Sequence, residues 1–329
     1  MDVYLTGGTG LVGSHTIELL TDHGHRVRAL VRDEPGKTLV ESLGAEAFLG
    51  SIEDPCSWDH AEGSDAIVHS AAIITKRGEW EKFYSINVGG TRKAAEKAAH
   101  LGVRLVHISS VAVYGRREAV DGGRLTEDFE WDHLPKSEFY ALSKRGAEDA
   151  VTEVARTSSL SAVSLRPCVI YGERDRTFLP HVIRVLRYGV SPVVGGGENT
   201  LALVYAGNVA EAVMSALERP EVQGAVNITN DGDTTQREFF ASVGRALGKR
   251  VRFVKVPVPI AYAFAALLYG VRHIMSPGQF AGFGATAVKY LTSDNPYSSE
   301  RARNELNWKP KTRPREAIDQ SVRWFAERR

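Results

Sequence analysis

The sequence predicts an α/β fold built on a doubly wound parallel sheet. Six short aliphatic and β-branched runs, the last at residues 163–165, alternate with longer helical patterns, such as those at 88–101 and 139–157, through the first half of the 329-residue chain. Such alternation indicates a parallel sheet with helices on both faces. The first run, residues 3–6, ends at a glycine cluster that leads directly into a helical pattern. A strand, a tight turn and a helix in this order are typical of a dinucleotide-binding unit.

The glycine cluster has the spacing G-x-x-G-x-x-G. Gly7 permits a tight turn, Gly10 lets a pyrophosphate approach the backbone, and Gly13 lets the helix pack close to the strand. The N–H groups and the positive dipole at the start of the helix would then face the phosphates. The cofactor contacts predicted for this turn are Gly7, Thr9, Gly10, Leu11, Val12 and Gly13.

The end of the second predicted strand, residues 27–31, indicates which cofactor binds. NAD sites usually carry an acidic residue there, which bonds the adenosine ribose hydroxyl. This chain has Val31 and then Arg32, with Lys37 shortly after. A carboxylate would repel the 2′-phosphate of NADP, whereas an arginine fork accepts it. The prediction is therefore NADP; the alternative is NAD, with Asp33 at the ribose.

The third and fourth predicted strands, residues 47–49 and 66–69, lead to further cofactor contacts. The loop after the third strand should lie beside the adenine. The small residues after the fourth strand would let the backbone approach the middle of the cofactor. The contacts predicted in these two loops are Ser51, Ile52, Ser70, Ala71 and Ala72.

Candidate catalytic residues follow the fifth predicted strand, residues 105–108. Ser110 comes at the end of that strand, where it can hold a substrate carbonyl oxygen. Tyr140 and Lys144 share one face of a predicted helix, residues 139–157, because they are four residues apart. We expect the Lys144 ammonium to lower the pKa of the Tyr140 phenol, so that Tyr140 exchanges a proton while hydride moves to or from a nicotinamide.

Composition excludes several other classes of protein. The chain carries 41 Lys and Arg against 40 Asp and Glu, so neither a nucleic-acid partner nor membrane contact is expected. Two cysteines form no disulfide framework, and the first strand begins almost at Met1, which leaves no room for a signal peptide. These observations predict a cytoplasmic protein, and no metal is expected.

Further motifs resemble the extended short-chain dehydrogenase/reductase family. They are N-V-x-G-T at 87–91, R-P-x-x-V-Y-G at 166–172, N-V-A at 208–210 and A-x-x-x-L-x-W-x-P at 302–310. The resemblance implies a Rossmann domain over residues 1–171, to which part of 201–232 returns, and a smaller substrate lobe formed by 172–200 and 233–329. It also places Asn87, Ser109, Tyr140, Lys144, Pro167 and Val169 beside the cofactor. One departure is Ser51, which stands where the family often has Asp.

Within the family, the chain is most similar to the 3β-hydroxysteroid dehydrogenase and dihydroflavonol reductase-like branch. Dihydroflavonol reductase-like sequences share its V-R-A-x-V-R-D string and use NADP, which implies that Arg32 and Lys37 bind the 2′-phosphate. The apolar segment 256–291 also resembles this branch, and three roles stay open for it: a substrate lid, a membrane contact or a core helix.

The function predicted from these residues and this resemblance is NADP-dependent interconversion of a ketone and a secondary alcohol on a partly apolar small molecule. Val111 and Ala112 follow Ser110 where dehydratases of the family carry an acidic pair, so dehydration is disfavoured. One alternative is an epimerase of nucleotide sugars that retains NAD. Another is a non-catalytic sensor that binds NADP. The resemblance leaves a homodimer open.

Overall fold

Eleven strands and twelve α-helices are found in the computed structural model, which describes residues 1–74, 79–115, 124–131, 133–229, 234–275 and 285–328. The strands are β1 (Asp2–Thr6), β2 (Arg26–Val31), β3 (Glu46–Leu49), β4 (Ala66–His69), β5 (Arg104–Ile108), β6 (Ala162–Pro167), β7 (Val169–Tyr171), β8 (Val190–Val194), β9 (Leu203–Tyr205), β10 (Gly224–Ile228) and β11 (Arg252–Val256). The helices are α1 (Leu11–Asp22), α2 (Glu34–Ser42), α3 (Trp80–Phe83), α4 (Gly90–Leu101), α5 (Phe139–Thr157), α6 (Leu179–Leu186), α7 (Ala206–Glu218), α8 (Gln236–Ala246), α9 (Val258–Met275), α10 (Ala285–Thr292), α11 (Glu300–Asn304) and α12 (Pro314–Glu327).

The described residues form a central sheet of seven parallel strands in the order β10–β6–β5–β4–β1–β2–β3. The strand order reverses between β1 and β4, and ligands of such sheets bind at the carboxyl ends of the strands near that point. The predicted α/β fold is therefore confirmed. The six predicted strands are all present, and β10 adds a seventh at the edge beside β6.

Helices cover both faces of this sheet. Side chains alternate between the two faces along each strand, so both faces carry apolar side chains that the helices bury. On one face Tyr4, Ile67 and Leu105 pack with the alanines of α4 and the valines of α5. On the other face Val3, Leu5 and Val68 pack with α1 and α7. The inner strands β1, β4, β5 and β6 are buried on both sides, which explains their nearly continuous apolar sequences, whereas the edge strand β3 is partly exposed.

The remaining elements form smaller units beside the sheet. β7 pairs with β9, and β8 pairs with β11, both in parallel. A separate apolar cluster joins α6, α8 and α12 to β9. Among the described helices, none has the length and apolarity needed to cross a bilayer. The predicted domain boundaries remain a prediction.

Candidate functional site

The glycine turn between β1 and α1 is packed so closely that two of its three glycines have no space for a side chain. Gly7 has a φ of +78°, and a Cβ there would lie 2.6 Å from the backbone nitrogen of Ala71. A Cβ at Gly13 would lie 2.2 Å from the Gly7 carbonyl oxygen. At Gly10 the nearest such contact is 3.2 Å, again to the Gly7 oxygen. The turn is thus folded back on itself and seated against the end of β4.

The amino end of α1 suits an anionic ligand. Gly10 is the N-cap residue of this helix, and no side chain caps it. The first acidic residue of α1 is Glu18, in its second turn, so no carboxylate competes with a ligand at the helix start. A helix N-terminus with free N–H groups beside a glycine turn is the arrangement that binds a pyrophosphate. These residues therefore fit the dinucleotide that the fold implies.

The three candidate catalytic side chains meet at the carboxyl end of β5. Ser110 follows that strand, and its Oγ accepts a 3.1 Å hydrogen bond from the Ala112 N–H. The Ser110 hydroxyl also lies near enough to Tyr140, in the first turn of α5, to influence the pKa of the phenol. One turn later the buried Lys144 Nζ donates to the Ile108 carbonyl oxygen at 2.7 Å. The structure thus brings together Ser110, Tyr140 and Lys144 as the sequence predicts.

The expected lowering of the Tyr140 pKa is not found. Burial raises the pKa of the phenol, and the Ser110 hydroxyl offsets this only in part. Burial also lowers the pKa of Lys144 to about 8 against the opposing effect of the Glu148 carboxylate. The physical reason is desolvation, which disfavours the charged form of both groups, the Tyr140 phenolate and the Lys144 ammonium. Tyr140 is thus a protonated phenol around neutral pH.

The carboxyl end of β2 leaves its basic residue accessible. Arg32 is exposed, directly after the buried Val31, and Lys37 is half-buried within α2. Asp33 caps α2, since its carboxylate accepts a 2.8 Å hydrogen bond from the Gly36 N–H. Asp33, the acidic residue that could have bound a ribose hydroxyl, therefore caps its own helix.

The other predicted contacts of the adenine side and the middle of the site lie at neighbouring strand ends. Ser70 and Ala71 form the surface against which Gly7 packs, and Ala72 follows them. Ser51 follows β3 with its N–H donating to Ser57 Oγ at 3.0 Å. Ile52 packs on α4, since a Cβ at Gly90 would lie 2.6 Å from its Cδ1.

Two residues predicted to contact the cofactor, Asn87 and Ser109, make hydrogen bonds within the protein. The Asn87 amide accepts from the Ile73 N–H at 2.8 Å and donates to the Ile73 carbonyl and to Ser143 Oγ at 3.0 and 2.9 Å. Ser109 donates its N–H to the Leu165 carbonyl and its hydroxyl to Glu148. Both side chains thus hold elements of the site in position. Pro167 and Val169 lie at the adjoining ends of β6 and β7.

Sequence reasoning missed a buried ion pair beneath this site. Glu148 lies on α5 four residues after Lys144, and its carboxylate binds the Arg166 guanidinium with contacts of 2.6 to 3.2 Å. Arg166 also donates to the Tyr114 hydroxyl at 2.7 Å, and Tyr114 donates to Asn227. The spacing of Tyr140, Lys144 and Glu148 on one helix face is the signal that could have revealed Glu148.

The fold and the site together are those of a Rossmann-type enzyme that uses a dinucleotide cofactor. A family model described as "NAD dependent epimerase/dehydratase family" matches residues 3–230. A ketoreductase of a farnesylated dihydroquinoline oxide from Stigmatella aurantiaca is 29% identical, over 97% of this chain and 95% of the relative. A ceramide reductase from Caulobacter vibrioides is 30% identical, over 91% of this chain and 87% of the relative. The crystal structure of a UDP-glucose 4-epimerase from Thermotoga maritima has a TM-score of 0.76 at 21% identity, covering 100% of this chain and 99% of that one, and so shares the fold.

The chain belongs to the NAD-dependent epimerase/dehydratase family, which is the extended short-chain dehydrogenase/reductase family that the motifs predicted. It is an enzyme, an oxidoreductase that works with NAD or NADP. The predictions of family, fold and enzyme class are thus confirmed.

Proposed function

We propose that this enzyme interconverts a ketone and a secondary alcohol on a partly apolar small molecule, with NADP as its cofactor. The observation that carries the proposal is the placement of Ser110, Tyr140 and Lys144 together at the carboxyl end of β5. Two hydroxyls can bind the single oxygen of a carbonyl or an alcohol. The names of the two reductase relatives support this reaction class, and both refer to lipophilic molecules.

Each of the three side chains has a distinct role in this proposal. Ser110 binds the substrate oxygen, and Tyr140 gives that oxygen a proton during reduction or takes it back during oxidation. Because burial keeps the Tyr140 phenol protonated, it is ready to act as the acid in reduction. Lys144 supplies positive charge behind the phenol and a donor for the nicotinamide ribose. When bound, NADP supplies or receives the hydride.

The proposed NADP preference rests on the carboxyl end of β2. Arg32 is exposed there, and its planar fork can bind a phosphate through several donors without losing its charge. The competing ligand for a ribose hydroxyl, Asp33, is already bound to the Gly36 N–H as a helix cap. Lys37 would add a second cation. The pyrophosphate would be held by the glycine turn and the start of α1.

We also propose a cytoplasmic location. The two cysteines, Cys56 and Cys168, are not joined by a disulfide. Reduced cysteines persist in a reducing compartment.

A screen of NADPH oxidation with ketones of increasing apolar chain length tests the reaction. We expect turnover by the wild type, and a loss of about 10²–10⁴-fold in kcat for Tyr140→Phe with an unchanged affinity for NADPH. Tyr188→Phe is the matched control, because that tyrosine is 71% exposed. Wild-type kcat in Tyr140→Phe would refute the role of the phenol. Tightly retained NAD with interconversion of nucleotide sugars, and no net oxidation of NADPH, would instead establish the epimerase.

Calorimetric titration with NADP and NAD tests the cofactor preference. Hydrogen bonds to charged groups contribute about 1.5–3 kcal/mol, so NADP should bind roughly 10- to 150-fold more tightly than NAD. Arg32→Gln should remove most of that difference and leave the affinity for NAD unchanged. Arg26→Gln serves as the control, since Arg26 is exposed and pairs with Glu46. Equal affinities of the wild type for the two cofactors would overturn the assignment of Arg32.

A further inference from the structure

The acidic and basic residues of this chain are unevenly distributed. Two stretches, residues 176–197 and 239–293, contain ten Lys and Arg and no Asp or Glu. The remainder of the chain carries 31 basic and 40 acidic residues. The near-zero total charge, on which the expectation of no membrane contact depended, therefore conceals a strongly basic part and an acidic remainder.

These two stretches fold against each other. The first contains α6 and β8, and the second contains most of α8 together with β11, α9 and α10. β8 pairs with β11, while α6, α8 and α10 all contact β8. The basic residues are consequently gathered in one part of the molecule instead of being dispersed over its surface.

The same part also exposes apolar side chains. Of the twelve large apolar side chains that are exposed in the described structure, eight belong to these two stretches. They are Val185, Tyr188, Val190, Val254, Ile260, Tyr262, Phe264 and Leu267. On α9, Phe264 and Leu267 are 59% and 62% exposed, and between Pro259 and Leu267 only Ala261 and Ala265 are buried. This exposure excludes the role of an ordinary core helix for the first three turns of α9.

Basic and apolar side chains alternate across this surface. Val190 pairs with Arg252 and Pro192 pairs with Val254, so these four exposed residues share one face of the two-stranded sheet. Within the described ranges, none of the exposed Arg184, Lys249, Arg250, Arg252 and Lys255 forms an ion pair with a carboxylate. We call the surface formed by the following residues the basic–apolar face: Val190, Lys249, Arg250, Arg252, Val254, Ile260, Phe264 and Leu267.

We propose that the basic–apolar face docks on the surface of a bilayer that contains anionic phospholipids. Apolar side chains of an interfacial helix enter the boundary between head groups and acyl chains, and neighbouring Lys and Arg are attracted to anionic head groups. A second copy of the chain is a poor occupant, because a symmetric contact would place two strongly basic surfaces together. Peripheral docking requires no spanning helix. It is also independent of the reaction proposed above.

Vesicle sedimentation of the full-length chain tests this inference without any activity measurement. We expect binding to vesicles of phosphatidylglycerol and phosphatidylcholine, weaker binding at high salt, and little binding to phosphatidylcholine alone. The absence of binding to the anionic vesicles would overturn the proposal. So would salt-independent binding that is equal for both kinds of vesicle. Conversion of the free protein to a dimer through this face, detected by sedimentation velocity and abolished by Phe264→Ser, would assign the face to a second copy.

Two sets of variants locate the contact. Lys249→Gln, Arg250→Gln and Arg252→Gln combined should weaken partitioning to anionic vesicles about 100-fold. Phe264→Ser with Leu267→Ser should weaken it roughly tenfold or more. The matched control combines Arg313→Gln, Arg315→Gln and Arg323→Gln, which removes three exposed charges outside the face. Equal losses in the control and in the first set would show a non-specific charge effect and refute the assignment. Because all these side chains are exposed, unchanged thermal unfolding is expected and checks that each variant folds.

Discussion

Replacing Glu148 by Gln tests whether this buried carboxylate maintains the charge of Lys144. Glu148 lies one helical turn from Lys144 and opposes the lowering of its pKa by burial. The other ionisable groups around Lys144 give no compensation. His69 on β4 and His107 on β5 are buried with strongly lowered pKa values, and Arg166 on β6 has the same charge as the lysine. Glu148→Gln should therefore lower the Lys144 pKa below about 8.

The magnitude of this shift follows from the separation of the two side chains. Neighbours one turn apart on a helix lie about 6 Å apart. At an effective dielectric constant of about 20, two unit charges at that distance interact by about 3 kcal/mol, which corresponds to about 2 pH units. The alkaline limb of kcat/KM for ketone reduction should thus move to lower pH by about that amount. The pH dependence of the reaction of Lys144 with an amine reagent should shift in parallel.

Structural damage must be separated from this electrostatic effect. Glu148→Gln also leaves the buried Arg166 without its carboxylate, which typically costs about 3–5 kcal/mol of stability. Glu148→Asp retains the charge, so its alkaline limb should stay close to that of the wild type. Glu153→Gln on the same helix is the control, because Glu153 forms an exposed pair with Arg92. If Glu148→Gln lowers the melting temperature and leaves both pH profiles unchanged, Glu148 serves only as the structural partner of Arg166.

Two further predictions concern the glycine turn and the buried histidines. Gly13→Ala should weaken binding of the dinucleotide and cost about 1–3 kcal/mol of stability, because the new Cβ would lie 2.2 Å from the Gly7 carbonyl oxygen. Gly196→Ala is the control: its Cβ has open space, so calorimetry and thermal unfolding should show neither effect. Burial lowers the pKa of His69 to about 3 and that of His107 well below its usual value, so between about pH 6.5 and pH 3 the unfolded chain binds protons that the native chain excludes. Stability measured by urea unfolding should fall with decreasing pH in that window by about 1.4 kcal/mol per pH unit for each histidine, and an unchanged slope in His69→Gln would contradict this explanation.

Local sequence patterns predicted the elements that position the site. The predicted helix 139–157 coincides with α5. Its apolar spacing, and the absence of glycine or proline at either end of the pattern, are local properties that can be read directly from the sequence. The six predicted strands are found within one or two residues of their predicted limits, since strands buried on both faces leave continuous apolar runs in the sequence. The helix predicted to begin at residue 88 instead follows a π-helical turn, Tyr84–Gly89, which no local signal announced.

The sequence by itself determined the family, the glycine turn and the pairing of Tyr140 with Lys144, because each depends on residues close together in the chain. Tertiary structure alone decided three further properties. It raised the pKa of Tyr140 through burial, since desolvation depends on distant segments that cover the phenol. It paired Glu148 on α5 with Arg166 on β6, and it brought the Asn87 amide within hydrogen-bonding distance of Ile73 and Ser143. It also gathered two separate acid-free stretches into one exposed face, a proximity that no local pattern contains.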